Sequence, residues 1–510
     1  MKGARLCAYR PALYAAAGVA AGVAAAFFLP AWVKAALVLF FAVAFFCAGV
    51  LKKGKRELAL FCAAALAGMA AGELFLLGFP SGSFEGVISG RITDATFCDE
   101  YGNAVLSGGN YLLELDGLSV DGRALAGRGS LILPASARAD LKVGDYLYFY
   151  GAASGEEFSP ESYQSLVAAK YRVYYSLQAF DAGALTRVDG SPSAVESMRL
   201  AIKGALYDNC REDTASFLFA MIFGDVAYMS DEVAQPFRDT GTAHLFAVSG
   251  LHVAILFYAC ARVLDKLKMP SPVRFCSGAA IMVLYCALCS FSPSVVRSAV
   301  MIMAAELAKV LKTRYDALSS MGASCAAILL FAPYFLLDAG FLMSYAAVFG
   351  ILGFYKPLFR ALKKVLLKPL AEGIAVSVAS NIGLLPLMLY YFGSVSLLTV
   401  PVNLVVVPLT SAFYPFLLLS ALIAALIPPA GALLTLASVP TLAGVLFTQA
   451  AANVSSAALN ADFSPLLCVF YYPLLAIASV FSRFDKKIKA GALALCGALT
   501  AAACFFVLPV

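Results

Sequence analysis

The sequence is poor in charged residues and in histidine. Only 13% of its 510 residues are Asp, Glu, Lys or Arg, and 62% are hydrophobic, whereas a soluble globular protein carries about 25% charged residues. This composition excludes a water-soluble fold. The chain has two histidines, His244 and His252, too few for a site built from several imidazoles. It also has no G-x-x-x-x-G-K-[ST] loop, so a P-loop ATPase is excluded. We expect no cofactor.

Long apolar runs recur along the chain. Each has about 20 residues, enough to cross a hydrocarbon core roughly 30 Å thick, and they predict a polytopic α-helical membrane protein of about 11–13 spans. A second run follows the first at once, which favours a retained N-terminal helix over a cleaved leader. The predicted spans are 11–29, 31–51, 58–79, 241–263, 275–291, 294–311, 317–337, 339–356, 372–392, 396–425, 430–452, 464–481 and 490–508.

Basic clusters orient these spans. They lie near residues 2–10, 52–56, 262–274, 309–314, 356–368 and 483–489. Placing every cluster inside gives a consistent alternation, as the positive-inside rule requires. We therefore expect a cytoplasmic N-terminus with residues 1–80 forming a three-helix segment, an extracytoplasmic stretch at about 80–240, and a transmembrane domain over 241–510.

Residues 81–190 differ in character from the rest. Short alternating runs separated by Gly, Asp and Pro predict several strands in a small barrel or sandwich, and the five-stranded OB-like barrel is the preferred form. Residues 85–189 hold eight Lys or Arg against fourteen Asp or Glu, a net charge near −6 in a chain of net +6. Such a domain does not attract nucleic acid by its overall field, so binding needs a local patch.

The candidate patch is the segment 170–175, "KYRVYY". Lys170, Tyr171, Arg172 and Tyr174 would interleave cations and aromatics on one strand, which suits stacking and phosphate contact with a single strand. The alternative is a strand with one buried aromatic face.

Residues 191–240 read as a linker of amphipathic or re-entrant helices. The run "ASFLFAMIFG" (215–224) is too short to span and predicts an interfacial or re-entrant helix. Asp225 follows it directly.

The segment "GTAHLFAVSGLHVAI" (241–255) places polar residues in an apolar run. Ser249 and Gly250 predict a break in the helix, which is tolerated at membrane depth only against protein or water. The freed N–H groups of a half-helix N-terminus suit an anion such as phosphate. His244 and His252 would add donors; the alternative is two histidines satisfied by neighbouring helices.

A second candidate is Arg297, one turn into the span at 294–311. A charge there must face a partner or water. Glu306 lies on the opposite face of the same helix and is expected to pair with Lys309, which leaves Arg297 for an anionic passenger or for snorkelling to the surface. Weaker candidates are Asp338, in an outer turn, and Asn381, in a Pro- and Asn-interrupted segment.

Thirteen cysteines occur, most of them isolated in apolar runs. Cys286 and Cys289 form a C-x-x-C without further ligands nearby, so we expect buried thiols rather than a metal or redox site. Cys98 and Cys210 lie outside the clear spans and are a candidate disulfide in an oxidising compartment.

Several segments together resemble the ComEC family, the inner-membrane DNA channels of natural transformation. They are "SFLFAMIFGD", "FRDTGTAHLFAVSGLHVAIL", "SPSVVRSAVM", "DAGFLMSYAAVFGIL" and "SVSLLTVPVNLVVVPL", within residues 200–425. The resemblance implies that single-stranded DNA crosses the bacterial cytoplasmic membrane through the helical bundle. It places His244, Ser249, Gly250, His252 and Arg297 at signature positions, and Asp225, Asp338 and Asn381 are added to the candidate path.

The chain departs from that family at its C-terminus. Many members continue into a metallo-β-lactamase-like domain, which is not expected here because the only two histidines lie in one membrane segment. The resemblance therefore implies separate partners: a DNA receptor, a nuclease, and a cytoplasmic motor or strand-binding protein. Energy source, strand polarity and oligomeric state stay open.

Two other functions fit parts of the same pattern. The buried cations would equally serve a transporter of another phosphate-bearing anion. Ser249 and His252 superficially resemble the nucleophile and base of a serine hydrolase, although their i, i+3 spacing on one segment is unfavourable. The chain is otherwise expected not to be an enzyme.

Overall fold

The computed structural model describes residues 10–505 except 51–55, 81, 94–105, 108–109, 135–140, 156–157, 182–183, 247, 454–457, 461–464 and 483. Eight helices in this part of the chain are long and apolar enough to cross a membrane, and the helices 31–45 and 317–331 are apolar but shorter. The chain is a multi-pass membrane protein, as its composition predicts.

A helix occupies each of the thirteen predicted spans, together with four shorter helices before residue 240. The helix of Arg297 is not one of these eight, and it holds three charged residues, Arg297, Glu306 and Lys309. The helices are α1 Pro11–Phe28, α2 Ala31–Val50, α3 Arg56–Gly78, α4 Tyr163–Tyr171, α5 Ala194–Asn209, α6 Glu212–Phe223, α7 Asp231–Asp239, α8 Gly250–Lys266, α9 Ser271–Leu288, α10 Pro293–Val310, α11 Ala317–Phe331, α12 Ala339–Leu362, α13 Lys368–Phe392, α14 Thr399–Leu426, α15 Gly431–Ala452, α16 Pro465–Ala478 and α17 Lys486–Phe505.

The long helices pack in pairs. α1 lies along α3 and α11, α12 along α13, and α14 along α15. Small residues permit these approaches: Gly350 of α12 and Gly383 of α13 each face the backbone of the other helix, so neither site has room for a Cβ.

The predicted β domain is a small barrel. Its strands are β1 Gly82–Ile92, β2 Leu106–Ser107, β3 Asn110–Val120, β4 Arg123–Ala124, β5 Arg128–Pro134, β6 Tyr146–Gly155, β7 Val173–Ala179 and β8 Thr186–Val188. Five of them close a ring in the order β1–β3–β5–β7–β6–β1, with β5 and β7 parallel and the other neighbours antiparallel. Alternate residues fill the interior, including Ile88, Leu115, Leu131 and Leu147.

A second, short sheet joins two loops of the helical domain. It consists of β9 Ser394–Ser396 and β10 Ala458–Asn460, which pair antiparallel.

The prediction that residues 170–175 form one strand is wrong. Lys170 and Tyr171 end α4, Arg172 takes a left-handed conformation with φ of 58°, and β7 begins only at Val173. The helix forms because Ser162 caps its start by accepting the Ser165 N–H, and the segment "LVAAK" favours a helix. The first aromatic residue of the segment, Tyr171, therefore lies at the end of a helix, and only Tyr174 and Tyr175 lie on the strand.

The short helix α6 is enclosed by protein. Every residue from Thr214 to Phe223 is buried, and its side chains join a cluster with residues of α5, α7 and α14. The prediction of an interfacial helix is wrong, because an interfacial helix needs one face open to lipid. The re-entrant alternative stays a prediction.

The barrel rests on the helical domain through three kinds of contact. Phe158, in the β6–α4 connection, packs against Phe75 and Phe79 at the end of α3, with ring centroids 5.1 and 5.3 Å apart. Lys170 Nζ lies 3.4 Å from an Asp338 carboxylate oxygen. Arg91 of β1 forms a paired ion contact with Glu196 of α5.

The proposed Cys98–Cys210 disulfide cannot be placed, because Cys98 lies outside the described residues.

Candidate anion site at the start of α8

The helix break predicted at Ser249–Gly250 lies where α8 begins. A short 3-10 turn spans Ala243–Leu245, and α8 then starts at Gly250. Ser249 is its N-cap, and the Ser249 hydroxyl accepts the backbone N–H of His252 at 3.3 Å. Other N–H groups of the first helical turn have no partner within the helix, so this end carries a partial positive charge.

Arg297 of α10 meets α8 at this end. A Cβ built on Gly250 would lie 3.1 Å from an Arg297 terminal nitrogen and 2.7 Å from the Ser298 hydroxyl oxygen. A side chain at the first position of α8 would therefore displace the Ser298 hydroxyl or the Arg297 guanidinium, and glycine avoids this. The close approach places a guanidinium beside a helix N-terminus, where two positive potentials meet.

The Arg297 side chain is buried, and no acid among the described residues neutralises it. The residue is 5% exposed; one terminal nitrogen donates to Ser298 Oγ at 3.3 Å, and its Nε has no hydrogen-bond partner. Its guanidinium carbon lies 5.7 Å from the ring centre of Tyr345 in α12. No carboxylate pairs with it within the described part of the chain, and Glu306 pairs with Lys309 as predicted.

Ser298 and Tyr345, the two side chains that contact the guanidinium, belong to hydrogen-bonded groups of α10, α11 and α12. Ser298 donates to the Ser294 carbonyl at 2.8 Å, Ser344 donates to the Ser294 hydroxyl at 3.2 Å, and the hydroxyls of Tyr345 and Ser324 lie 2.9 Å apart. These groups are neutral hydrogen-bonding partners; they do not compensate the charge of Arg297.

His252, in the first turn of α8, is fully buried. Its Nε2 lies 3.4 Å from Ser411 Oγ, its ring stacks on Tyr414 at 4.5 Å, and its Nδ1 has no partner. Tyr414 in turn shares a hydrogen bond with Tyr285. The imidazole therefore contacts α14, whereas the Ser249 hydroxyl caps α8, so the two do not form a nucleophile–base pair.

The remaining predicted residues lie apart from this cluster. His244 is exposed on the 3-10 turn before α8. Asp225 pairs with Arg199 at 2.8 Å, Asp338 caps α12 and contacts Lys170, and the Asn381 amide donates within α13 to the Ser377 carbonyl.

The predicted patch on the barrel does not form an open surface. Lys170 faces Asp338, and Tyr174 packs on Phe79 with ring centroids 4.5 Å apart. Arg172 is exposed at the α4–β7 junction, and its carbonyl accepts the Arg128 N–H. The segment thus lies where the barrel meets the helical domain.

Sequence reasoning missed the residues that complete the site. Ser298 follows Arg297 directly, and helix spacing alone puts them on different faces. Tyr345, Ser411 and Tyr414 come from α12 and α14, far along the chain. No local signal identifies them, because only tertiary packing brings these helices to α8.

This arrangement offers hydrogen-bond donors for an anion. A guanidinium and free helix N–H groups are the donors that phosphate accepts. Within the described residues, no group of three or more His, Cys, Asp or Glu side chains could hold a metal ion.

Comparison with known proteins supports the resemblance found in the sequence. Residues 221–485, just over half of the chain, match the family described as Competence protein. The chain is 31% identical to ComE operon protein 3 of Bacillus subtilis (strain 168) over 212 residues, which are 42% of this chain and 26% of that protein. It is 26% identical over 215 residues to the uncharacterized protein YcaI of Escherichia coli (strain K12), covering 40% of this chain and 28% of YcaI.

These matches span between a quarter and a third of the two relatives' lengths. No solved structure gives a significant match. The family match includes α8, α10 and α12, and therefore Gly250, Arg297 and Tyr345. By this match, the chain belongs to the Competence protein family.

Proposed function

We propose that this protein carries single-stranded DNA across the cytoplasmic membrane during natural transformation, and that the start of α8 together with Arg297 binds the passing phosphates. The observation that carries the proposal is the buried guanidinium of Arg297. It has no acidic partner among the described residues and lies against a helix N-terminus.

The energetic argument is one of charge balance. Burying an unpaired charge costs several kcal/mol even after relaxation, and a positive helix end beside it adds to the repulsion. A mobile anion that visits the site would remove both costs. DNA phosphates are singly charged and repeat along the strand, so each can occupy the site in turn without being held permanently.

Family membership supports the choice of DNA over another phosphate-bearing anion. The matched family is described by competence, and the α8–α10 cluster lies within the matched residues. A transporter of another anion would use the same donors, so binding at Arg297 alone does not distinguish the two.

The barrel has a place in this proposal. Its ring pairs β5 and β7, the third and fifth of the five ring strands in chain order, in parallel. This order is compatible with an OB-type barrel, a class that binds single strands. The positive-inside rule puts it outside the cytoplasm. There it would receive DNA before the strand reaches α8.

The proposed protein is a channel without catalytic activity of its own. A DNA receptor, a nuclease that removes the second strand and a cytoplasmic motor or strand-binding protein would be separate polypeptides. The absence of a P-loop motif in the sequence is consistent with energy supplied by such partners.

Transformation frequency tests the proposal. In a transformable host that expresses this protein, we expect Arg297→Gln to lower the frequency about ten- to a hundredfold, the effect of losing one charge-assisted hydrogen bond. Arg314→Gln, at an exposed arginine in the loop after α10, is the matched control. Normal frequency for Arg297→Gln at equal membrane abundance would refute the assignment of this site.

A further inference from the structure

Three tyrosines form a row on the outside of the barrel. Tyr146, Tyr148 and Tyr150 occupy alternate positions of β6, so all three point to the same face. They are 43%, 41% and 60% exposed, whereas the intervening Leu147 and Phe149 are buried in the barrel interior. The three tyrosine rings are thus exposed on the outer face of β6, whereas the other face of the strand lines the apolar interior of the barrel.

The surroundings of the row form a continuous sheet surface. On one side β1 places Val87, Ser89 and Arg91 opposite Tyr150, Tyr148 and Tyr146. On the other side β8 places Thr186 opposite Tyr148. Phe180, itself exposed, lies with its ring 5.7 Å from that of Tyr150 and extends the row beyond the strand.

We propose that the row of Tyr146, Tyr148 and Tyr150, extended by Phe180, is the surface on which the barrel holds single-stranded DNA by base stacking. This inference rests on the proposed function and names the binding surface that the segment 170–175 does not provide. Alternate residues of a strand lie about 6.8 Å apart. That is twice the roughly 3.4 Å spacing of stacked bases, so one base fits between neighbouring rings.

The charge of the barrel favours stacking over phosphate binding. Residues 85–189 have a net charge near −6, and Arg91, next to Tyr146, is engaged by Glu196. In the hairpin whose Asp121 N–H donates to the Val87 carbonyl, the Asp121 carboxylate accepts the Val87 N–H, and the exposed Arg123 is the cation of that hairpin. Affinity should therefore come mainly from aromatic–base contacts, with one or two phosphate contacts and a shallow dependence on salt.

The tyrosine row is compatible with single-strand binding on an OB-type barrel. Tyrosine stacks on any base and keeps its hydroxyl in water. Hydroxyl side chains flank the row, and Ser89 and Ser119 share a hydrogen bond at 2.7 Å on the same face.

The first test measures binding of fluorescently labelled oligo(dT) to the detergent-purified full chain by anisotropy. We expect Tyr148→Leu to weaken binding at least about fivefold, since base stacking on one aromatic ring contributes that much or more. Tyr148→Phe should bind like the wild type, because it retains the ring. Tyr315→Leu, at an exposed tyrosine after α10, is the control and should have no effect.

The second test needs no substitution. DNA containing 5-iodouracil is photo-crosslinked to the wild-type chain, and the modified peptide is identified by mass spectrometry. We expect adducts at Tyr146, Tyr148 or Tyr150. Equal affinity of Tyr148→Leu and wild type, adducts only elsewhere, or no binding by the wild type would each overturn the inference and assign this face to a protein partner or a lipid surface.

Failure here is separable from failure of the proposed function. If the tyrosine variants bind and transform normally while Arg297→Gln lowers the transformation frequency as predicted, the stacking surface is wrong and the transport proposal stands. If Arg297→Gln transforms normally, the phosphate site in α8 is wrong regardless of the barrel.

Discussion

At the first residue of α8, the space for a side chain is already taken. A Cβ added at Gly250 would lie closer to Ser298 Oγ and to an Arg297 terminal nitrogen than ordinary van der Waals contact. The glycine lets the helix end and the guanidinium share one small volume. The close approach of Arg297 to the start of α8 thus depends on the absence of a side chain at position 250.

We predict that Gly250→Ala destabilises the protein by about 1–3 kcal/mol, the usual cost of overpacking. The measurement is thermal unfolding in detergent. Adding Ser298→Ala should recover part of the loss, because it removes the hydroxyl oxygen that would lie 2.7 Å from the new Cβ. Gly491→Ala, in α17 where a Cβ meets open space, is the control. An unchanged melting temperature for Gly250→Ala would mean that α8 and α10 are not this close.

Residue identities alone predicted part of this site. Ser249 and Gly250 are poor helix formers in the middle of an apolar run, and they predicted the break. Helix geometry put Glu306 and Arg297 on opposite faces, and it predicted that they do not pair. The partners from α12 and α14 were not predictable, since hydrophobic periodicity does not specify which helices become neighbours.

On the scale of elements, β3 carries a carboxyl group into the junction between the barrel and the linker helices. Glu114 is nearly buried, its Oε2 has no hydrogen-bond partner, and Arg128 is 3.9 Å away. Burial raises the pKa of Glu114 to about 7; Arg128 opposes that rise and the nearby Asp225 carboxylate adds to it. In the folded state the Glu114 carboxyl is therefore mainly neutral below about pH 7.

The pH dependence follows from that raised pKa. Between the unfolded pKa near 4.5 and about 7, the folded state binds more protons than the unfolded state, so the free energy of unfolding falls as pH rises. The contribution of the protonated Glu114 carboxyl to the free energy of unfolding is complete below the unfolded pKa. It is lost as the pH rises through the folded pKa. We predict that Glu114→Gln removes roughly 1–3 kcal/mol of this pH dependence between pH 5 and pH 8.

Thermal unfolding at a series of pH values checks this prediction. Glu114→Gln should melt higher than the wild type at pH 8 and similarly at pH 5. Glu161→Gln, at an exposed carboxylate before α4, should follow the wild type throughout. A wild type that becomes more stable from pH 5 to pH 7.5, with the same profile in Glu114→Gln, would contradict the role of Glu114.

The elements themselves were predictable to different degrees. Strand alternation and turn residues predicted the barrel, and its parallel β5–β7 pair was not visible because strand order is set by tertiary contacts. The segment 170–175 was assigned to one strand because aromatic alternation suggested period two. The Ser162 cap and the run "LVAAK" instead extend a helix to Tyr171, and Arg172 absorbs the turn.

On the scale of the whole molecule, the membrane character follows from composition and holds throughout the helical domain. Thirteen apolar segments became helices because backbone groups in lipid must be satisfied internally. The path of a passenger through the bundle does not follow from composition. It depends on how α8, α10 and α12 meet at Arg297 and on how α14 packs on His252, which are tertiary arrangements.

The central claim is that a DNA strand passes the start of α8 beside Arg297. The most direct measurement places the photoreactive amino acid benzoylphenylalanine at Ser249, or at the exposed Tyr258 further along α8 as the control, and irradiates cells while they take up labelled DNA. The account predicts a protein–DNA adduct from position 249 and none from position 258. Adducts at neither position, while transformation continues in the unirradiated cells, would contradict it.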